Sequence, residues 1–82
     1  MENKCPVCNY RGLYEQAYDI YGYGSDEICP CCGFQFGYDD FPDKIGAQIK
    51  WKNNWIKNGC MWFSKSRKPP EGWIAEKQLK IL

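Results

Sequence analysis

The sequence predicts a small metal-bound α+β fold: a zinc ribbon, in which two Cys-x-x-Cys turns sit on a short antiparallel sheet, followed by C-terminal helices. Three observations lead there. The phrase Cys-Pro-x-Cys-(Asn/Gly)-aromatic occurs twice, as Cys5-Pro6-Val7-Cys8-Asn9-Tyr10 and as Cys29-Pro30-Cys31-Cys32-Gly33-Phe34. The chain has 82 residues, a size at which a hydrophobic core alone gives a thin margin of stability and a metal staple is expected. Beyond residue 41 the apolar spacing changes from alternating to helical. One domain is expected over 1–82, with the ribbon in 1–41 and a helical, basic extension in 42–82 packed on it.

The turns come first. Two cysteines separated by two residues can aim both sulfurs at one point, and two such turns supply the four thiolates of a tetrahedral site. Cys5, Cys8, Cys29 and Cys32 are therefore the candidate ligands. Pro6 and Pro30 preset φ at the start of each turn. The residue after the second cysteine must often take a positive φ, which Asn9 and Gly33 tolerate best. Tyr10 and Phe34 then leave the turns as apolar starts of strands that shield the metal. Zinc, one ion per chain, is the expected occupant, as the commoner ion in structural four-cysteine sites; iron is the alternative, since it also accepts tetrahedral sulfur. Cys31, between two ligands, is expected to point away from the metal, and Cys60, in the apolar run Cys60-Met61-Trp62-Phe63, to act as a small buried hydrophobe.

Between the turns, Leu13 to Ile20 alternates imperfectly, Tyr21-Gly22-Tyr23-Gly24-Ser25-Asp26 offers a glycine-bearing turn, and Glu27-Ile28 leads to the second cysteine pair. That pattern predicts a hairpin. Phe34, Phe36 and Tyr38 alternate with Gln35 and Gly37 and predict a third strand ending at Asp39-Asp40. Pro42-Asp43 and Asn58-Gly59 are start and stop signals for a helix of about four turns. Its wheel places Ile45, Ile49, Trp51, Trp55 and Ile56 on one side, with Gln48 and Lys52 within it; this side is expected to pack on the ribbon, the Lys52 stem lying along apolar surface. A short strand or docking segment follows at Cys60 to Phe63, then the basic stretch Ser64 to Lys68. A second helix is expected from Pro70-Glu71 through Trp73, Ile74, Lys77, Gln78 and Ile81.

Composition narrows the function. The net charge is +1, but residues 1–43 hold two basic against eight acidic residues, a net −6, and residues 44–82 hold nine against two, a net +7. Four thiolates on a divalent ion add about −2 to the acidic half, so the ribbon itself repels phosphate. The fourteen aromatics, four Trp, six Tyr and four Phe, suit a thin core better than a binding surface. With no histidine there is no Cys-His or Ser-His pair and no histidine-ligated catalytic zinc, and a four-cysteine site leaves no open position for water or substrate. We expect no enzyme. The start Met1-Glu2-Asn3-Lys4 runs into Cys5 without an apolar stretch, and no apolar run has the length a bilayer requires; a cytoplasmic location, no membrane, and reduced thiols follow as expectations.

The strings KCPVCNY and EICPCCGF, with the acidic DD after an aromatic run, resemble the small bacterial cysteine-rich proteins named for a Cys-Pro-Cys-Cys motif. The resemblance covers Lys4 to Asp40, a little under half the chain. In that family the Cys-Pro-Cys-Cys string usually stands in the first turn, whereas here it stands in the second. The resemblance implies a metal-binding ribbon in a bacterial protein and no activity. Rubredoxins are similar in turn pattern, and that likeness implies an iron site that carries electrons, although Asn9 stands where they usually have glycine. Three functions remain: a structural metal with a surface that contacts an unknown protein partner, a rubredoxin-like iron electron carrier, and a nucleic-acid-binding ribbon using Lys50, Lys57, Lys65, Arg67 and Lys68 with Trp62 and Trp73. The first is preferred, in a monomer or weak dimer, because the basic residues are spread along the chain rather than gathered in one run.

Overall fold

Glycine and aspartate punctuate the first 40 residues so often that extended runs end almost as soon as they begin. The computed structural model describes residues 3–80. Among them backbone pairing occurs only as three isolated bridges, Asn3 with Gly12 in parallel sense and Tyr18 with Gly24 and Ile28 with Gln35 in antiparallel sense. The predicted zinc ribbon on a short antiparallel sheet is therefore corrected: the described residues contain no sheet. Its physical cause is backbone conformation, since Gly22, Asp26, Gly33 and Gly37 all take positive φ, from 68° to 99°, and no strand runs through such a residue undisturbed.

The reversals themselves lie where the turn residues are. Asp19 accepts from the amides of Tyr21 and Tyr23 through one carboxylate oxygen, both at 2.9 Å, and its own amide donates to the Tyr23 carbonyl. This closes the loop between Tyr18 and Gly24. The expected third strand is replaced by a second reversal. The amides of Tyr38 and Asp39 both donate to the Gln35 carbonyl, Asp39 accepts from the Gln35 amide, and Asp40 accepts from the Gly37 amide. Phe34 and Phe36 are fully buried while Tyr38 points out. Burying each of the two phenylalanines contributes roughly 1.5–3 kcal/mol.

The first helix, α1, spans Lys44–Lys57. Asp43 caps it by accepting from the Gly46 amide. At the other end the Gly59 amide donates to the Ile56 carbonyl and the Cys60 amide to the Trp55 carbonyl, with Gly59 at φ 95°. That is a Schellman stop, which requires a left-handed residue after the C-cap. The face that α1 buries differs from the predicted one. Trp51 and Trp55 pack inward, but Ile45 and Ile49 are 62% and 55% exposed, and Ile56 is exposed as well.

Polar anchors decide that rotation. The indole N–H of Trp51 donates to the Cys32 carbonyl at 2.9 Å and that of Trp55 to the Met61 carbonyl at 2.9 Å. Gln48 donates to the Tyr18 hydroxyl, and Lys44 donates to the Gly22 carbonyl and lies over the Tyr18 ring. Residues 44, 48, 51 and 55 form one helical stripe, and it is the stripe that carries hydrogen-bond donors as well as rings. Lys52 is half-buried.

After α1 the chain docks on the second cysteine turn without forming a strand. The Phe63 amide donates to the carbonyls of Pro30 and Cys31, and the Ser64 amide to that of Pro30. The second helix, α2, covers only Ala75–Lys80. Pro70 to Gly72, expected inside it, instead makes a turn, with the Trp73 amide donating to the Pro70 carbonyl and Gly72 at φ 74°. Ile81, placed in this helix by the sequence, lies outside the described residues. Two lines of aromatic contacts, edge-on except for the tilted Phe34–Phe36 pair, knit the core: Tyr18, Phe36, Phe34 and Trp51 of α1 form one, and Tyr10, Trp62 and Trp73 the other. Among the described residues no helix is long and apolar enough to cross a membrane.

Candidate metal centre

The two cysteine turns adopt one backbone pattern. In the first, the Cys5 amide donates to the Tyr10 carbonyl at 2.7 Å and the Asn9 amide to the Cys5 carbonyl at 2.9 Å. In the second, Cys29 donates to Phe34 at 2.9 Å and Gly33 to Cys29 at 2.8 Å. Asn9 and Gly33 have φ of 73° and 84°, as the repeated phrase requires. The Val7 amide also lies 3.4 Å from the Cys5 sulfur, as expected of a turn that turns amides toward sulfur.

Packed against each other, the turns bring the sulfurs of Cys5, Cys8, Cys29 and Cys32 within 4.8 Å of one another. The sulfurs of Cys5 and Cys32 are 3.9 Å apart and those of Cys8 and Cys29 are 3.7 Å apart. These separations are too long for a disulfide, whose sulfurs are bonded at about 2.0 Å. They match a tetrahedron: metal–sulfur bonds of about 2.3 Å place neighbouring sulfurs about 3.8 Å apart. All four residues are buried, so the cluster could hold a metal ion out of contact with bulk water.

Sulfurs this close govern one another's ionisation. Hydrogen bonds with Cys32, Cys5 and Cys8 pull the Cys29 thiol down, while hydrogen bonding to Cys29 pushes the Cys8 and Cys32 thiols up. Four thiols at this spacing ionise unevenly, because each thiolate opposes the next. A divalent ion that neutralises them is what allows all four to serve as thiolate ligands.

The other predicted residues fall elsewhere. Cys31 is fully buried and outside the four-sulfur group. Cys60 is half-buried at φ 54°, and burial pushes its thiol up. Of the basic and aromatic set, Lys50, Lys57, Lys65 and Lys68 are exposed, whereas Arg67, Trp62 and Trp73 are engaged inside the molecule. Arg67 donates to the Gly12 carbonyl at 2.9 Å, approaches Glu27 at 3.5 Å and stacks 4.0 Å over Tyr14. The Trp62 indole donates to the Arg67 carbonyl and the Trp73 indole to the Gln78 side chain. Three of the seven side chains are thus committed to contacts within the chain, and the four lysines are exposed.

Sequence reasoning missed the residues that hold the turns in place. Helical spacing places Trp51 on a packing face and gives no sign of its bond to the Cys32 carbonyl. Gln78 donates to the Cys8 carbonyl at 2.8 Å across 70 residues of sequence, and no local signal marks it.

Four buried, converging thiols define the class: a cysteine-rich chain whose sulfurs could hold a metal ion. The chain belongs to the family of the Bacillus subtilis (strain 168) protein YozI, described as an uncharacterized protein, with 32% identity over 81 residues that cover 82% of this chain and 67% of YozI. It is also 42% identical over 70 residues to YoaQ of the same organism, again described as uncharacterized, covering 70% of this chain and 59% of YoaQ. The chain thus spans about two thirds or less of the length of these relatives. No family model matches it, and no solved structure matches it.

Proposed function

We propose that this protein is a small zinc-binding module in which one zinc ion, held by Cys5, Cys8, Cys29 and Cys32, is structural and the surface serves to contact another protein. One observation carries the reading: four buried sulfurs within 4.8 Å of one another, at separations suited to a tetrahedral ion. Zinc is the choice because closed four-thiolate sites are its commonest structural environment. When bound, the ion supplies no chemistry beyond crosslinking; the chain's own turns orient the thiols, and the four cysteines share one buried cluster with Val7, Phe34 and Phe36. Such a site has no open position, and we assign the protein no enzymatic activity. A cytoplasmic setting belongs to the same reading, because thiolate ligands persist where thiols stay reduced. Kinship with the Cys-Pro-Cys-Cys group belongs to the same proposal and rests on the strings around both cysteine turns and the acidic Asp39-Asp40.

Exposed apolar side chains support the interaction role. Ile20 is 89% exposed, and Tyr21, Tyr23 and Phe41 stand out nearby in sequence or space, Tyr23 and Phe41 lining one groove with Pro42. Large apolar groups rimmed by polar residues mark interaction sites. Elemental analysis of freshly purified protein, before contact with any chelator, tests the metal reading. We expect one zinc per chain. One iron would replace this reading with electron transfer, and no metal would remove it.

A further inference from the structure

Helix α2 has six residues, far below the length at which a helix persists alone in water. Its position is set by contacts with the first cysteine turn, and Gln78 makes most of them. The Gln78 amide group donates to the Cys8 carbonyl at 2.8 Å and to the Cys31 sulfur at 3.4 Å. Its side-chain oxygen accepts from the Trp73 indole at 2.8 Å, which fixes which end of the amide faces the turn. Its main-chain carbonyl accepts from the Asn9 side chain at 2.7 Å. One residue therefore touches both turns, reaching a ligand's own carbonyl in the first and the buried spare thiol of the second.

The Cys8 carbonyl and the Asn9 side chain occupy these places only while the first turn keeps its conformation, with Asn9 at φ 73°. Asn9 is 2% exposed, and its side-chain oxygen has no hydrogen-bond partner among the described residues. A buried amide left half-satisfied is costly, and the bond from Asn9 to Gln78 is the one polar compensation its side chain has among the described residues. Neighbours of metal ligands that orient them by hydrogen bonds govern how firmly the ion is held. Linkage makes the relation reciprocal: whatever holds the turn favours the helix, and whatever docks the helix favours the ion.

We infer that Gln78 is a positioning residue of the metal centre, whose hydrogen bonds to the turns couple α2 to retention of the ion more strongly than the packing of the helix alone does. The inference rests on the metal reading above and adds a residue to it that is not itself a ligand. Gln78→Met keeps the side chain's length and apolar stem and removes both donors and the acceptor. Leu79→Ala is the comparison, since Leu79 packs α2 on the core and none of the hydrogen bonds to the turns involves it.

The test is zinc affinity by competition with a chromophoric chelator for wild type and both variants, with the Trp73 indole N–H resonance followed on the full chain. Gln78→Met is expected to lower zinc affinity about tenfold and to move the Trp73 indole signal, with Leu79→Ala changing affinity less than about threefold. Wild-type affinity in Gln78→Met would overturn the inference. So would equal losses in the two variants, because helix docking in general and not Gln78 would then be responsible. Should Gln78→Met not fold, wild type decides: a Trp73 indole signal unchanged on zinc removal overturns the linkage. A wild-type chain that takes up no zinc is a separate outcome, which removes the metal reading itself.

Discussion

The turn at Cys5–Tyr10 and the turn at Cys29–Phe34 make the same two backbone hydrogen bonds, yet the rest of the molecule holds them by different means. The second turn is fastened from several sides. Trp51 of α1 donates to the Cys32 carbonyl, Phe63 and Ser64 donate to Pro30 and Cys31, and the Phe34 ring lies edge-on to Trp51. The first turn depends on fewer and more distant contacts, chiefly Gln78 and the edge-on packing of Tyr10 against Trp62. Local sequence can therefore specify a ligand-bearing turn twice, while tertiary anchors decide how rigidly each copy is held. We expect the first turn to open more readily than the second.

Removing a ligand should erase the difference. Cys8→Ser and Cys29→Ser each leave three thiols, and both are expected to lose the metal together with the ordered packing of the first 41 residues. Cys60→Ala is expected to leave metal content unchanged. Metal analysis with circular dichroism checks this, and equal metal loss in all three variants would contradict the ligand set.

A smaller effect separates the turns. Gly33 has φ 84°, and an added Cβ would lie 2.6 Å from the Phe63 ring, so Gly33→Ala meets backbone strain and a clash and should cost about 2 kcal/mol or more. Asn9→Gly keeps the backbone freedom and loses the bond to Gln78, for a cost of about 1 kcal/mol. Chemical denaturation of the zinc-loaded variants measures both. A larger loss for Asn9→Gly would reverse the ranking of the two anchorages.

The smallest effect lies away from both turns, at Asp40. Burial pushes its carboxyl up, but hydrogen bonds from the Tyr18 hydroxyl at 2.7 Å and the Gly37 amide at 2.8 Å outweigh that and hold it below the ordinary carboxylate value. The depressed group binds its proton less readily in the folded chain than in the unfolded one. Its contribution is present above the ordinary value of 3.8 and is lost as pH falls below it. Asp40→Asn should cost about 1 kcal/mol at neutral pH, and the difference from wild type should shrink in acid. An equal difference at pH 7 and pH 3 would show that the charge contributes nothing.

The parts legible in the sequence are those that short spacing encodes. The paired Cys-x-x-Cys phrases, the residues after them that need positive φ, and the stop and start residues of α1 at Asp43 and Asn58-Gly59 all act within a few positions. The missing sheet was hidden because Phe34-Gln35-Phe36-Gly37-Tyr38 alternates like a strand, while Asp39 and Asp40 fold its end back by bonding the Gln35 and Gly37 amides. The packing face of α1 was misjudged because hydropathy weighs Ile45 and Ile49 above Lys44 and Gln48. Hydrogen-bond donors settled that competition. Gln78 and Arg67 act across 70 and 55 residues, and a partner at such separation leaves no local pattern.

X-ray absorption at the zinc edge on the zinc-loaded chain tests the central claim most directly, since it reads the ligand atoms themselves. Cys5, Cys8, Cys29 and Cys32 predict a single shell of four sulfurs at about 2.3 Å. A shell containing nitrogen or oxygen at about 2.0–2.1 Å would contradict the four-thiolate site.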